Sequence, residues 1–141
     1  MSPLNPHQEF QHIPFGDIEK FNGMSYRRLG PSGLRVSDVG LGTWKIGCPE
    51  TGDGSRIDEN QASLLFDTAI GLGVTFWDTA PRYNHGSGNA ERGIGRWFKR
   101  NPGQRRNIVL ATKIYGGMDG VTPNHWGLSR SNILESVYAC L

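Results

Sequence analysis

Three short apolar runs, each followed by a segment patterned as a helix, constrain this 141-residue chain more than any other feature. Asp38 to Gly42, Val74 to Trp77 and Ile108 to Thr112 are too uniformly apolar for strands with one wet face, and read as strands buried on both sides. After the first, Ala62, Leu65, Phe66, Ala69 and Ile70 recur at i, i+3, i+4, i+7 and i+8. Asp58 stands at that helix start with Gln61 as a capping-box partner, and Gly71 and Gly73 stop it. After the second, Ala90, Ile94, Trp97 and Phe98 repeat the helical spacing, ended by Asn101-Pro102-Gly103. After the third, Ser129 caps a stripe of Ile133, Val137, Cys140 and Leu141. The strand ends fall at Gly42, Asp78 and Lys113, in steps of 36 and 35 residues. Such alternation predicts an α/β fold, a parallel sheet covered by helices. Ahead of it, Tyr26 to Leu29 and Leu34 to Ser37 flank Gly30-Pro31-Ser32-Gly33 and read as a hairpin with a four-residue turn. Residues 1–24 mix Pro, Gly, Gln, Asn and His without periodicity and read as a disordered tail, leaving 25–141 as the folded unit.

Composition narrows the function classes. Fifteen Lys and Arg against thirteen Asp and Glu give a net charge of +2, too little to argue for nucleic acid. Arg96, Lys99, Arg100, Arg105 and Arg106 cluster, and read as a solvated helix end followed by a loop. Two cysteines form neither a disulfide framework nor a zinc spacing; Cys140 reads as core and Cys48 as an ordinary loop residue. His7 and His12 lie five apart with no third partner, so no metal site is expected. The start, MSPLNPHQEF, lacks a basic segment followed by an apolar one, and no apolar run approaches the ~18 residues that cross a bilayer. These features predict a cytoplasmic protein with neither membrane nor nucleic-acid partners; oligomeric state stays open.

The chemistry-bearing residues gather at the predicted strand ends. Phe76-Trp77-Asp78-Thr79-Ala80-Pro81-Arg82-Tyr83 supplies a carboxylate and a phenol, and Lys113 closes the next apolar run. Barrels and open parallel sheets carry their chemistry at this end of the strands. A phenol ordinarily titrates near pKa ~10. A neighbouring ammonium favours the phenolate and lowers that value, and a carboxylate holds the ammonium in place. Such a trio suits proton delivery to a carbonyl oxygen. For Tyr83 alone an exposed loop tyrosine is the simpler reading; Asp78 and Lys113 shift the balance toward chemistry. His85 reads as a solvent-facing loop histidine or a pocket residue. His125 with Trp126 reads as a substrate cover or as a loop packed by its own indole.

The run from Tyr26 to Leu141 resembles the aldo-keto reductase family. Arg28-Leu29-Gly30-Pro31-Ser32-Gly33-Leu34 with Val36-Ser37 looks like its opening hairpin, and Leu41-Gly42-Thr43-Trp44 like its first strand end. Phe76 to Ala80 with Tyr83, then Gly88-Asn89-Ala90-Glu91 and Gly93-Ile94-Gly95, looks like its signature, and Thr112-Lys113 completes the match. The resemblance implies a (β/α)₈ TIM barrel closed at its bottom by the hairpin, of which about three of eight βα units are present here. It implies reduction of aldehydes or ketones to alcohols with NADPH, NADH being the alternative, and a small-molecule carbonyl as substrate. By similarity Tyr83 is the general acid, Lys113 lowers its pKa and Asp78 pairs with Lys113. Gly42, Thr43 and Trp44, with Asp78, would lie by the cofactor. The same resemblance reaches the β subunits of potassium channels, so a non-catalytic regulatory or binding subunit is the alternative function.

Two departures stand beside the match. The family's histidine at the end of the fourth strand is expected beyond position 141. Leu141 also falls inside an apolar stripe with no stop behind it, whereas a complete barrel takes ~250 residues. The sequence therefore reads as the N-terminal portion of an aldo-keto reductase, truncated in the third helix and inactive and unstable by itself. A complete flavodoxin-like domain fits the alternation and the length. It requires a tight phosphate-cradling turn after the first strand. Thr43 to Ile57 is too long for that, and Gly52-Asp53-Gly54 reads as a turn.

Overall fold

The structure, a computed structural model, describes residues 20–117 and 120–140. Among the described residues six strands form two three-stranded sheets. The first is antiparallel, built from β1 (Lys20–Phe21), β2 (Met24–Arg28) and β3 (Arg35–Ser37) in that order. Tyr26 faces Ser37 and Arg28 faces Arg35 across the Gly30–Gly33 turn. The second is parallel, with β4 (Gly40–Gly42), β5 (Phe76–Asp78) and β6 (Val109–Ala111) side by side. Among the described residues there are four α-helical segments, α1 (Glu59–Gly71), a single irregular turn α2 (Tyr83–Gly86), α3 (Asn89–Arg100) and α4 (Arg130–Cys140), along with three short 3-10 segments. The architecture is α/β.

Residues 20–24, assigned by composition to the tail, belong instead to a hairpin. Residues 1–19 lie outside the described residues, but Lys20 pairs with Ser25 and Phe21 with Met24. The turn between them is Asn22-Gly23, with φ of 49° and 81°. Asn-Gly is the preferred pair for a two-residue hairpin turn because both positions need positive φ. That short-range signal outweighs the lack of periodicity around it.

Each α1 terminus follows its sequence. Asp58 accepts from the Gln61 amide at 2.9 Å while the Gln61 side chain accepts from the Asp58 amide at 3.1 Å, closing a capping box. At the other end Gly73 adopts φ 74°, and a Cβ there would stand 2.1 Å from the Phe21 carbonyl oxygen. Only glycine lets the α1–β5 connection pass so close to the hairpin.

α1 and α3 bury their apolar stripes against one face of the parallel sheet. Phe66 stacks on Trp77 at 4.7 Å between ring centroids, and Trp97 meets both at 5.6 and 5.3 Å. Ile46, Ala62, Ala69, Val74, Ile94 and Ile108 fill around these rings. Trp77 and Trp97 also place their indole N–H groups, on the Val74 carbonyl and the Asp67 carboxylate. The antiparallel sheet docks at the other end of β5 from the strand C-termini. The Tyr26 hydroxyl lies 2.8 Å from both the Gly73 carbonyl and Thr75 Oγ1, and Ser37 Oγ accepts from the Thr75 and Phe76 amides.

α4 departs from expectation. Its stripe was read as core, yet Cys140 is exposed and Val137 largely so, whereas Asn132 is buried; Leu141 lies outside the described residues. Asn132 turns inward because its side-chain amide donates to the Gly127 carbonyl, binding the helix start to the preceding loop.

Candidate active site

Parallel pairing brings the strand ends into register. Gly42 faces Asp78, and Asp78 faces Ala111, so Lys113 follows two residues beyond the last paired position on the neighbouring strand. Side chains alternate along a strand, so Trp77 enters the core while Phe76 and Asp78 point to the opposite face. The ladder continues past the strands through the Thr43 amide on the Asp78 carbonyl and the Thr79 amide on the Ala111 carbonyl. Asp78 is thereby fixed at its backbone from both sides.

Asp78, Tyr83 and Lys113 meet at this end. The Tyr83 hydroxyl donates to Asp78 Oδ2 at 2.7 Å, and Lys113 Nζ donates to the phenol oxygen at 2.8 Å. The same ammonium reaches both Asp78 oxygens at 2.8 and 2.9 Å and the Thr79 carbonyl at 3.0 Å. These are charge-assisted distances. The cluster is half-exposed, with Lys113 and Asp78 side chains 51% and 48% accessible, so its carboxylate and ammonium are accessible without rearrangement.

Lys113 pulls the Tyr83 pKa down, the direction expected of a neighbouring ammonium. Burial of the phenol raises it most and the bond donated to Asp78 raises it further, so the Lys113 contribution is outweighed and the phenol lies above its ordinary value. Asp78 lies below the usual carboxylate range: burial pushes it up, but the bonds from Lys113 and Tyr83 and the Lys113 charge prevail. For Lys113 burial lowers the pKa, and the bonds to Asp78 and Tyr83 more than restore it, leaving it raised. Near neutral pH the resting state is therefore carboxylate, protonated phenol and ammonium.

The three further residues singled out by sequence differ in placement. Gly42 is exposed with open space where a Cβ would stand. Trp44 is exposed, its ring 6.3 Å from that of Tyr83 and 4.5 Å below Lys45 Nζ. Thr43 is fully buried, and its hydroxyl donates to the Asp78 carbonyl, so it fastens β4 to β5.

Sequence reasoning passed over Asn84, which braces Tyr83, and read its neighbour His85 only as a loop or pocket residue. Asn84 and His85 both adopt left-handed backbone, φ 55° and 59°, although neither is glycine. Asn84 is buried and donates to the Ile46 carbonyl at 2.7 Å, while its Oδ1, like Thr79 Oγ1, finds no hydrogen-bond partner among the described residues. Each unpaired buried polar atom costs about 1–3 kcal/mol. Asp53 accepts from the Cys48 and Ser55 amides, the Ser55 hydroxyl and Asn89 Nδ2, which joins the β4–α1 loop to α3. Burial opposes ionisation of Asp53, but these bonds hold its carboxyl far below the usual range. The signal for Asn84 was Asn-His-Gly directly after Tyr83, since Asn tolerates left-handed turns.

Other singled-out groups serve structure. Arg96 and Arg100 bind Glu59, and Arg100 also binds Ser63, so two of the basic cluster's three members on α3 tie it to α1. Arg82 donates to the Gly117 carbonyl at 2.5 Å and lies 4.6 Å over the Trp126 ring, latching the loop after β6. His125 bonds within its own turn, to Thr122. A cavity of about 590 Å³ opens beside Pro81, Glu91, Arg92, His125 and Glu135, but its lining includes none of Asp78, Tyr83 and Lys113. Among the described residues no cluster of His, Cys, Asp and Glu could hold a metal ion, and no helix is long and apolar enough to cross a membrane. His7 and His12 lie outside the described residues.

The described part of the chain is thus a parallel α/β core with a phenol, an ammonium and a carboxylate joined at its strand ends. The model of the aldo/keto reductase family matches residues 38–141, and the chain belongs to that family of oxidoreductases. It is 37% identical over 132 residues to versiconal hemiacetal acetate reductase of Aspergillus parasiticus, an alignment covering 82% of this chain and 38% of that one. A crystal structure from Pseudomonas aeruginosa, itself assigned to the aldo-keto reductases, superposes with a TM-score of 0.63 at 31% identity. That match covers 82% of this chain and 41% of the other. The chain thus spans about two-fifths of the length of these relatives.

Proposed function

We propose that this chain contributes the proton-donating half of a carbonyl reductase: an NADPH-dependent enzyme that reduces aldehydes or ketones to alcohols on a (β/α)₈ barrel. The observation that carries it is the closed set of bonds among Asp78, Tyr83 and Lys113. Reduction leaves negative charge on the carbonyl oxygen, so an acid must stand within hydrogen-bond reach of it. In this reading the Tyr83 hydroxyl is that acid. An alkoxide is a far stronger base than the Asp78 carboxylate, so the phenol proton leaves Asp78 for the product oxygen. Lys113, already 2.8 Å from the phenol oxygen, stabilises the phenolate that remains. Asp78 keeps Lys113 charged and in place, since an unpaired cation there would be lost to solvent or deprotonated.

The donor set suits a nicotinamide at one end. Gly42, with open space above it, pairs with Asp78, and the exposed Trp44 ring lies 6.3 Å from that of Tyr83, so Gly42, Trp44 and Asp78 would hold that end while buried Thr43 sets the strand geometry. When bound, the nicotinamide supplies the hydride. We further propose that the 141 residues alone are inactive, and that the whole protein works in the cytoplasm on a small-molecule carbonyl.

The test uses the full-length protein with a reduced nicotinamide and a short-chain aldehyde, followed by loss of nicotinamide absorbance. Turnover is expected, NADPH being preferred, and Lys113→Met is expected to lower kcat by about 10²-fold or more. No turnover with any of several aldehydes and ketones, despite cofactor binding, would favour a binding or regulatory subunit.

A further inference from the structure

Tyr83 is held from two sides, and only one of them is the Asp78–Lys113 pair. The residues immediately after it run through left-handed space at Asn84 and His85, followed by Gly86 at φ 75°. Two successive non-glycine residues in that region are unusual, and such backbone persists only where its surroundings fix it. The fixing contacts come from the β4–α1 loop. Asn84, 4% exposed, donates its side-chain amide to the Ile46 carbonyl at 2.7 Å. The His85 ring lies against Gly54, where a Cβ would stand 2.7 Å from Nε2. Ile46 is itself immobilised, 2% exposed in the core and bonded through its amide to the Thr43 carbonyl. Thr43 in turn is bonded to the Asp78 carbonyl. A chain of contacts therefore runs from the backbone of Asp78 through Thr43 and Ile46 to the backbone one residue past Tyr83.

We propose that Asn84 is a positioning residue: its amide, clamped on the Ile46 carbonyl, fixes the turn after Tyr83 and so holds the phenol on Asp78 and Lys113. This rests on the reading of Tyr83 as the proton donor. Left-handed backbone alone does not explain the residue, because glycine would adopt it at less cost and would leave no unpaired buried Oδ1. What glycine lacks is the clamp.

The deciding variants are Asn84→Gly, which keeps the backbone conformation and removes the clamp, and Asn84→Asp, which keeps size and turn tolerance and removes the donor. Both are made in the full-length protein, beside Tyr83→Phe. The expected result is a fall in kcat of about tenfold for either variant, with KM for the nicotinamide little changed. The alkaline limb of the kcat profile should also move toward the ordinary phenol value near ~10, as Tyr83 leaves Asp78, Lys113 and its partly buried seat. A merely structural role would lower the melting temperature without moving that limb. Wild-type kcat in Asn84→Gly, or a loss of kcat with the alkaline limb unmoved, overturns the proposal. If Asn84→Gly does not fold, the same two readouts on Asn84→Asp decide. Full activity of Tyr83→Phe defeats the underlying reading instead, and an inactive Tyr83→Phe beside a fully active Asn84→Gly defeats only the clamp.

Discussion

Asp78 sits at the centre of the cluster, since it accepts from both of the other members and is fixed through its backbone. Its folded pKa lies below the unfolded one, so its contribution to stability is fully present above about pH 4 and disappears as pH falls through the depressed folded value. Tyr83 and Lys113 lie above their unfolded values, so their contributions hold below about pH 10 and vanish as pH rises through the folded values. Denaturant unfolding of Asp78→Asn against wild type should therefore show a deficit that persists across the neutral range and closes in acid. A deficit that grows in acid contradicts the assignment. The phenol supplies a second check. Burial of Tyr83 opposes ionisation most, with Asp78 adding to it. Removing the Asp78 charge while keeping Lys113 should let Tyr83 ionise at lower pH, visible as phenolate absorbance in Asp78→Asn that is absent when Tyr83→Phe is added. The meeting of Asp78, Tyr83 and Lys113 was legible because all three stand at or just past predicted strand ends. The direction of the Tyr83 shift was not, because it depends on burial and on which oxygen takes the proton.

At the level of elements, periodicity located α1 and α3, and Asp58 and Ser129 cap α1 and α4 as the sequence indicated, whereas α3 starts after Gly88 with no side-chain cap. Loss of the Asp58 cap in Asp58→Ala should cost about 1 kcal/mol, read as a shift in denaturant midpoint without a change in slope. Truncating Trp97, which touches Phe66, Trp77 and Phe98, should cost about 3–5 kcal/mol. By contrast Glu59→Ala, which frees exposed Arg96 and Arg100, should cost under about 1 kcal/mol. The α4 stripe misled because an apolar spacing states which face prefers burial and says nothing of what is there to bury it. The β1–β2 hairpin was hidden for the opposite reason: two-residue strands carry no period, and only Asn22-Gly23 marks them.

For the molecule as a whole, the parallel sheet packs one face against α1 and α3 and leaves Asp78, Tyr83 and Lys113 on the other. Leu64, Leu72, Leu134 and Tyr138 are exposed, so the 141 residues expressed alone should melt broadly and associate; a sharp cooperative melt of a monomer contradicts this. The alternation of strand and helix was readable along the chain because each element signals locally. The bracing of Tyr83 by the β4–α1 loop was not, since Ile46 and Asn84 are joined only through space. The most direct measurement is the rate of aldehyde reduction by full-length Tyr83→Phe with saturating reduced nicotinamide, taken beside its cofactor affinity. The account predicts a fall of about 10²-fold or more in rate with affinity retained. A rate within about threefold of wild type, a difference under ~1 kcal/mol in barrier, contradicts it.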